Sequence, residues 1–169
     1  MTSYDQIFLG IDPGLNGGLA WLQNGKLIDT CIMPVKEKNI DLRGLYIKIQ
    51  KYAVSHAFIE KVHAMPKQGV SSMFKFGYGL GAIEATVACL CIPYTMIPPQ
   101  SWTRFIHKGL DPMCETSKEK SALAASMLFP NHNFIKSKRS FKPHDGMIDA
   151  ALIAEFGSQN VFQNNTPER

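Results

Sequence analysis

Four carboxylates stand at positions from which a folded chain could gather them into one site. Asp12 ends an apolar run, IFLGID, and Glu60 ends a second one, HAFIE. Asp145 and Asp149 lie four residues apart, a spacing that places both on one face of a helix. An ionised carboxylate at the end of a buried strand needs a partner, because removing its water shell is costly. A metal ion or cationic ligand would serve, and so would the N–H groups of a turn, since Asp-Pro-Gly is also common turn chemistry.

Close approach of these four carboxylates would favour a bound cation. For Asp145 alone a helix cap is an equally simple interpretation, and Glu60 alone could pair with Lys61 or a loop amide. Asp149 has no such alternative, because apolar residues surround it and no cationic residue stands one helical turn away. Like charges that share a site repel each other, and carboxylate oxygens are ligands that Mg²⁺ and Mn²⁺ prefer. Two such ions ~3.5–4 Å apart can activate a water and stabilise the leaving oxygen in phosphodiester hydrolysis, so the acids predict metal-dependent nuclease chemistry.

The sequence pattern also predicts the strands and helices that must position these acids. Asn24-Gly25 separates two β-rich runs, and this dipeptide is the strongest short signal for a tight hairpin. Trp102, on a short helix after Pro98-Pro99, is expected to be a core residue. Three antiparallel strands are predicted within residues 7–33 and further strands at 56–62 and 92–97, with helices at 41–54, 70–91, 98–109, 116–129 and from 143–145 to 157. This order predicts an α/β fold with a five-stranded mixed sheet flanked by helices.

Length and composition favour one domain in a reducing compartment. The chain has 169 residues, 45% of them hydrophobic, and a net charge of +4, which allows a sizeable core and is compatible with a nucleic-acid partner. Its four cysteines form no CxxC pair and are interpreted as buried free thiols. No signal peptide or membrane-spanning stretch is recognisable, so we expect a cytoplasmic protein of a bacterial or phage-infected cell, or an organellar one, not a secreted one. The domain is predicted to cover residues 1–157, and a polar C-terminal tail residues 158–169.

Five motifs resemble, in the same order, those of the RuvC family of Holliday-junction resolvases within the ribonuclease H-like superfamily. They are GIDPG at 10–14, FIEKV at 58–62, LGAIEA at 80–85, IPPQSW at 97–102 and KPHDGMIDAALIA at 142–154. The last of these looks most like the phage and organellar branches. The resemblance implies a ribonuclease H-like fold and a Mg²⁺-dependent homodimer that makes two symmetric nicks in a four-way DNA junction.

The resemblance also assigns catalytic and metal-binding roles to the acids. Three positions match the family pattern directly, namely Asp12, Glu60 and Asp149. In bacterial members the remaining ligand, an Asp or a His, stands three residues before the last acid, and here that position is Gly146. Asp145 is the predicted substitute and His144 the alternative. His144 or Lys142 is expected to support catalysis by orienting the water or the scissile phosphate.

The same resemblance suggests which residues contact DNA. His63 stands where bacterial members carry an aromatic side chain that stacks on a base, although a solvent-facing histidine is an equally simple interpretation. Lys67 is expected to contact the backbone, and Lys142 is the preferred phosphate clamp. Lys138 and Arg139, in the basic run KSKRSFK, would extend the positive surface, although such a run is commonly only a solvated face.

Two functions from other classes also fit parts of the sequence. GIDPG resembles the first phosphate motif of actin- and Hsp70-like ATPases, but the chain is short for two lobes and shows no second glycine-rich phosphate loop. A nucleic-acid-binding domain with a degenerate site would explain the displaced acid at position 145, although all four acids are present. Mg²⁺-dependent nicking of a synthetic junction would separate a nuclease from such a domain.

Overall fold

A five-stranded mixed β-sheet forms the centre of the computed structural model, which describes residues 6–61, 69–110, 114–137 and 139–162. The strands are β1 (Ile7–Asp12), β2 (Gly18–Gln23), β3 (Lys26–Ile32), β4 (Val35–Lys36), β5 (Asn39–Ile40), β6 (Val54–Glu60) and β7 (Tyr94–Ile97). The helices are α1 (Leu42–Ile49), α2 (Val70–Cys89), α3 (Pro99–Ile106), α4 (Ser117–Leu128) and α5 (Asp145–Gly157). Within these described ranges, none of the helices combines the length and apolar character needed to cross a bilayer.

The strands follow the order β3-β2-β1-β6-β7 across the sheet. The pairs β1–β2 and β2–β3 are antiparallel, whereas β6 runs parallel to both β1 and β7. Asn24 and Gly25 have φ values of 51° and 73°, which suits the tight turn predicted between β2 and β3. The predicted α/β class and five-stranded mixed sheet are confirmed.

Side chains alternate between the two faces of β1 and β6, and this alternation determines which side of the sheet each acid faces. Phe8 of β1 and Phe58 of β6 belong to the core cluster that packs against α5. Their neighbours, such as Leu9, belong to the second cluster, which packs under α1 and α2. Because successive side chains point to opposite faces of a strand, Asp12 and Glu60 fall on the α5 side of the sheet.

Glycines let α5 approach the sheet at backbone contact distance. A β-carbon on Gly10 would lie 2.0 Å from the carbonyl oxygen of Ala150, and one on Gly18 would lie 2.6 Å from the carbonyl oxygen of Gly146. Any side chain larger than hydrogen would therefore collide with the helix backbone at both positions. Gly10, the first glycine of the GIDPG motif, thus allows α5, and with it Asp149, to lie close to the strand that carries Asp12.

Some local predictions are wrong at their boundaries. The helix predicted over 41–54 ends at Ile49, because the chain must reverse direction before β6 begins at Val54. The strand predicted over 92–97 begins only at Tyr94. The short β4–β5 hairpin is not predicted, since its turn residues Glu37 and Lys38 are not the residues that favour positive φ.

Other details agree more closely with the sequence pattern. Thr116 and Glu119 form the predicted capping box at the start of α4, and α5 ends at Gly157 as predicted, followed by a π-helical turn over Ser158–Phe162. The boundary between the domain and the tail stays a prediction. All four cysteines are free, but Cys89 and Cys91 are exposed rather than buried, because they lie at and just beyond the end of α2.

Candidate active site

Three carboxylates meet at the carboxyl ends of β1 and β6. Parallel pairing places Ile11 beside Ile59, so the next residues, Asp12 and Glu60, end neighbouring strands at the same edge of the sheet. Helix α5 packs against both strands and contributes Asp149. The pKa of Asp12 is raised to about 8, first by burial and then by the negative charges of Glu60 and Asp149. The three acids therefore form one electrostatically coupled cluster.

This cluster holds more negative charge than its protein surroundings stabilise. Burial raises the pKa of Glu60, and a hydrogen bond from Trp102 only partly opposes the change. Burial and the charge of Glu60 raise the pKa of Asp149 to about 6, although a hydrogen bond from Ser121 lowers it. Without a bound cation, Asp12 is mostly protonated at neutral pH. A divalent cation would favour ionisation of all three carboxylates and release protons as it binds.

Trp102 fixes the orientation of Glu60. The indole is only 3% exposed, which confirms its predicted place in the core, and its Nε1 donates a 2.8 Å hydrogen bond to Oε1 of Glu60. Because an indole N–H can only donate, it holds the carboxylate as an acceptor at the strand end. The Trp102 side chain is therefore a positioning group as well as a core residue.

Ser121 of α4 plays a corresponding role for Asp149. Its buried hydroxyl donates to the Asp149 carboxylate and lies 3.1 Å from Nε2 of His107. A hydroxyl can donate one hydrogen bond while it accepts another, so Ser121 can serve both neighbours at once. The sequence does not indicate these roles for Ser121 and His107, because no local pattern links either residue to Asp149.

Asp145, the predicted fourth ligand, is engaged in an ion pair. Its Oδ2 lies 2.6 Å from Nζ of Lys118, and the two side chains are 57% and 78% exposed. Exposed pairs of this kind contribute little stability, so the contact is better understood as a local charge arrangement at the start of α5. The sequence places Lys118 on the surface of α4 and gives no sign of this contact.

His144, the predicted alternative, has an uncommitted ring nitrogen. It is the N-cap residue of α5, yet its side chain makes no capping hydrogen bond. Among the described residues, its Nδ1 is buried and has no hydrogen-bond partner. Burial, followed by the charge of Lys136, lowers the pKa of His144, although Asp145 opposes this, so the ring is neutral at physiological pH. A neutral, partly buried imidazole with a free nitrogen is a suitable donor for a metal or a phosphate.

Gly146 lies three residues before Asp149, where the RuvC family pattern has a ligand, and its packing leaves no room for a side chain. A β-carbon on Gly146 would lie 2.3 Å from the carbonyl oxygen of Asn16 and 2.6 Å from the carbonyl carbon of Gly17. The first turn of α5 packs directly on the backbone of the β1–β2 turn, and only glycine fits. Any ligand from this part of α5 must therefore come from residue 144 or 145.

Asp12, His144, Asp145 and Asp149 line an open groove of about 700 Å³ at the edge of the sheet. The β1–β2 turn and the N-terminal end of α5 form its walls, with Lys118 and Phe76 contributed by α4 and α2. Among the residues that the structure describes, no three His, Cys, Asp or Glu side chains surround one point closely enough to hold a metal ion. The donor chemistry nevertheless fits a hard divalent cation, because the site offers half-buried carboxylates with raised pKa values and the unpartnered nitrogen of His144.

The predicted DNA-contacting residues divide into three groups. Lys142 is exposed and lines the groove beside the acids. Arg139 is also exposed but does not line the groove. His63, Lys67 and Lys138 lie outside the described residues, and their roles stay predictions.

Comparison with solved structures shows the fold. Neither a family model nor a curated protein matches the chain. Thermus thermophilus RuvC in complex with a Holliday-junction substrate is 15% identical, with a TM-score of 0.63 over 90% of this chain and 93% of that one. The yeast mitochondrial Holliday-junction resolvase Ydc2 is 14% identical, with a TM-score of 0.57 over 89% and 77%. The fowlpox virus resolvase with its substrate Holliday-junction DNA is 14% identical, with a TM-score of 0.52 over 90% and 96%. The chain thus has the ribonuclease H-like fold of RuvC-type resolvases.

Proposed function

We propose that the protein is a divalent-metal-dependent endodeoxyribonuclease that resolves four-way DNA junctions by paired symmetric nicks. The observation that carries this proposal is the coupled cluster of Asp12, Glu60 and Asp149 at the strand ends, of which Asp12 and Asp149 line the groove. Two of the structurally similar proteins are described with Holliday-junction DNA. An acid cluster at the carboxyl end of the sheet, beside basic side chains, is suited to binding and hydrolysing a phosphodiester.

Two Mg²⁺ ions, or Mn²⁺ in their place, would be held by Asp12, Glu60, Asp149 and either His144 or Asp145. Bound there, such ions supply an activated water and charge stabilisation at the leaving oxygen. The protein's own contribution is the arrangement around them. Trp102 orients Glu60, and Ser121 orients Asp149.

Positive groups at the groove would hold the DNA strand. Lys142 and Lys118 both line the groove and would attract the phosphates on either side of the cut. The N-terminal end of α5 also faces the groove, and the unpaired N–H groups of a helix start favour an anion. Contacts with phosphates do not depend on the DNA sequence, so they would give affinity for the DNA backbone rather than for particular bases.

A homodimer would place two such sites on one junction. Helix α2 leaves an apolar face exposed, on which Val70, Phe74 and Tyr78 are 85%, 76% and 62% exposed. On the same face, a β-carbon on Gly77 or Gly81 would meet nothing within 4 Å. A large apolar patch of this kind is typical of an interaction surface, and a second copy of the chain is the proposed partner.

The decisive experiment compares a labelled four-way junction with a linear duplex of the same sequence, each with and without Mg²⁺. We expect paired nicks in the junction only, and only with the metal. Junction binding without nicking under all metal conditions would instead indicate a nucleic-acid-binding domain. Equal cleavage of the duplex would contradict selectivity for branched DNA.

Trp102→Phe is expected to lower the nicking rate by about 10- to 100-fold, the usual effect of removing a group that orients a metal ligand. Phenylalanine keeps most of the buried volume but cannot donate the hydrogen bond to Glu60. The single-turnover rate should fall while the dissociation constant for the junction changes little. Tyr94→Phe, at the opposite end of the sheet, serves as the control and should leave the rate unchanged. A normal rate in Trp102→Phe would show that Glu60 needs no such support.

His144→Ala and Asp145→Asn together test the identity of the fourth ligand. Because Nδ1 of His144 is unpartnered whereas Asp145 is paired with Lys118, His144→Ala is expected to have the larger effect. The Mg²⁺ concentration for half-maximal nicking should rise by about 10-fold or more in His144→Ala. The reverse order of effects would identify Asp145 as the ligand, as the sequence pattern predicts.

A further inference from the structure

A second, more enclosed cavity adjoins the catalytic groove on the side of α2. Its volume is about 220 Å³, below the ~300–1,000 Å³ of pockets that hold drug-sized ligands. It therefore suits a single flat ring system rather than a complete nucleotide. The lining is mainly apolar, and its contributors come from the β1–β2 turn, the β4–β5 hairpin and α2. Among them are Leu15, Ile40, Phe76, Tyr78, Lys38 and Lys75.

Phe76 is the wall shared by the cavity and the groove. It lines both, together with Gly14 and Leu15. Its Cε2 lies 3.6 Å from the position that a β-carbon of Gly14 would take, and Gly14 has a φ of +122°. The ring thus packs on the turn that directly follows Asp12 and Pro13. A ligand in the cavity would lie one side chain away from the acids.

Two lysines, Lys38 and Lys75, line this cavity. In the part of the chain that the structure describes, neither of them makes an ion pair or a side-chain hydrogen bond. Lys38 sits in the β4–β5 turn, where Glu37 and Lys38 have φ values of 52° and 60°. Non-glycine residues rarely adopt this conformation, and such outliers concentrate at functional sites. The turn therefore holds a long cationic side chain where asparagine and glycine would fit with less strain.

We propose that this cavity receives one unstacked nucleobase of the strand that is cut. The base would stack on Phe76, while Lys38 and Lys75 contact the phosphates that flank it. This inference rests on the proposed function, since it concerns the same strand in the same groove. Aromatic faces combined with lysines are the usual chemistry of single-strand recognition, and the polar groups of Asn39 and Ser72 could contact the base edge. Bases inside a duplex are paired and stacked, so the branch point is where a base can enter.

An abasic scan tests the proposal with the full-length protein. A set of junctions is prepared, each with one abasic residue at a different position near the cut. Nicking of each junction is measured with the wild-type protein and with Phe76→Ala. In the wild type, one position should lower the nicking rate by roughly 5- to 100-fold, the effect expected for losing one base–aromatic stack. Phe76→Ala should be slower by a similar factor on the intact junction and insensitive to the abasic residue at that position. Tyr94→Ala, which removes an exposed aromatic residue at the other end of the sheet, should retain the wild-type pattern.

A second measurement does not depend on the aromatic variant folding. The double variant Lys38→Ala/Lys75→Ala should bind the junction with a weaker salt dependence. The slope of log K against log salt concentration should become shallower by about 1.4, that is about 0.7 for each lost single-strand phosphate contact. Lys26→Ala, on the distant edge strand β3, should leave the slope unchanged. If no abasic position interacts with Phe76→Ala, or if the double lysine variant keeps the wild-type slope, the base subsite is wrong. Failure of the wild type to nick any junction would instead contradict the proposed function.

Discussion

Asp12→Asn is expected to reduce junction nicking by a factor of at least about 100 while junction binding survives. Asparagine retains the shape of the side chain but cannot supply the negative charge that a hard divalent cation needs. A metal ion contributes several kcal/mol to such a reaction, and each 1.4 kcal/mol corresponds to a factor of ten in rate. Single-turnover nicking with Mg²⁺ measures the first effect, and a mobility shift in EDTA measures binding.

The same variant should be more stable than the wild type in metal-free solution at pH 8. The ordinary pKa of the Asp12 carboxyl is 3.8, and in the folded protein it is raised to about 8. Folding therefore favours the protonated form. The stability associated with that form is fully present below pH 3.8 and is lost as the pH rises towards 8. Since asparagine never ionises, the variant should gain about 2 kcal/mol or more at pH 8 and almost nothing at pH 4.

Thermal unfolding in EDTA at both pH values checks this gain. It corresponds to a rise of roughly 5 °C in the melting temperature of a domain of this size. Asp29→Asn is the matched control. Although burial alone would raise the pKa of Asp29, hydrogen bonding to Lys51 lowers it. The control should therefore lose a little stability at pH 8 and keep full nicking activity. If Asp12→Asn melts below the wild type at pH 8, the carboxylate is not under electrostatic strain and the coupled cluster is misassigned.

The strand ends that carry Asp12 and Glu60 could be predicted because local patterns decide them. Apolar runs define β1 and β6, and Asn24-Gly25 defines the turn that makes β2 and β3 antiparallel neighbours. Parallel pairing of β1 with β6 then brings the two acids together. Asp149 could be expected beside them because the residues around it on the helix are apolar and must be buried.

The groups that orient these acids could not be predicted, because they depend on contacts between distant segments. Trp102 is 42 residues from Glu60 in the chain, and Lys118 is 27 residues from Asp145. Periodicity identifies Trp102 as apolar and Lys118 as exposed, but says nothing about which polar atom each one meets. Likewise, the strained turn at Lys38 contradicts local preference, so only the assembled structure reveals it.

Gly146→Asp, which restores an acid three residues before Asp149, is expected to destabilise the protein rather than supply a ligand. The new β-carbon would lie 2.3 Å from a backbone oxygen of the β1–β2 turn, and neither segment can move without separating α5 from β1. Overpacking of this kind costs about 3 kcal/mol, and burial of an additional carboxylate beside Asp12 adds to it. Nicking should fall at least as far as in Asp12→Asn. Denaturant unfolding and the single-turnover rate measure the two effects.

Gly69→Asp separates the effect of the position from that of the residue change. Gly69 is the N-cap of α2, its φ is −63°, and a β-carbon there meets nothing within 4 Å. Because aspartate is a favourable N-cap residue, this control should be neutral or slightly stabilising. If Gly146→Asp instead folds with wild-type stability and lowers the Mg²⁺ requirement, α5 can withdraw from the turn. The ligand would then belong at position 146, as in the bacterial family pattern, and the contact between Gly146 and the β1–β2 turn would not explain its absence.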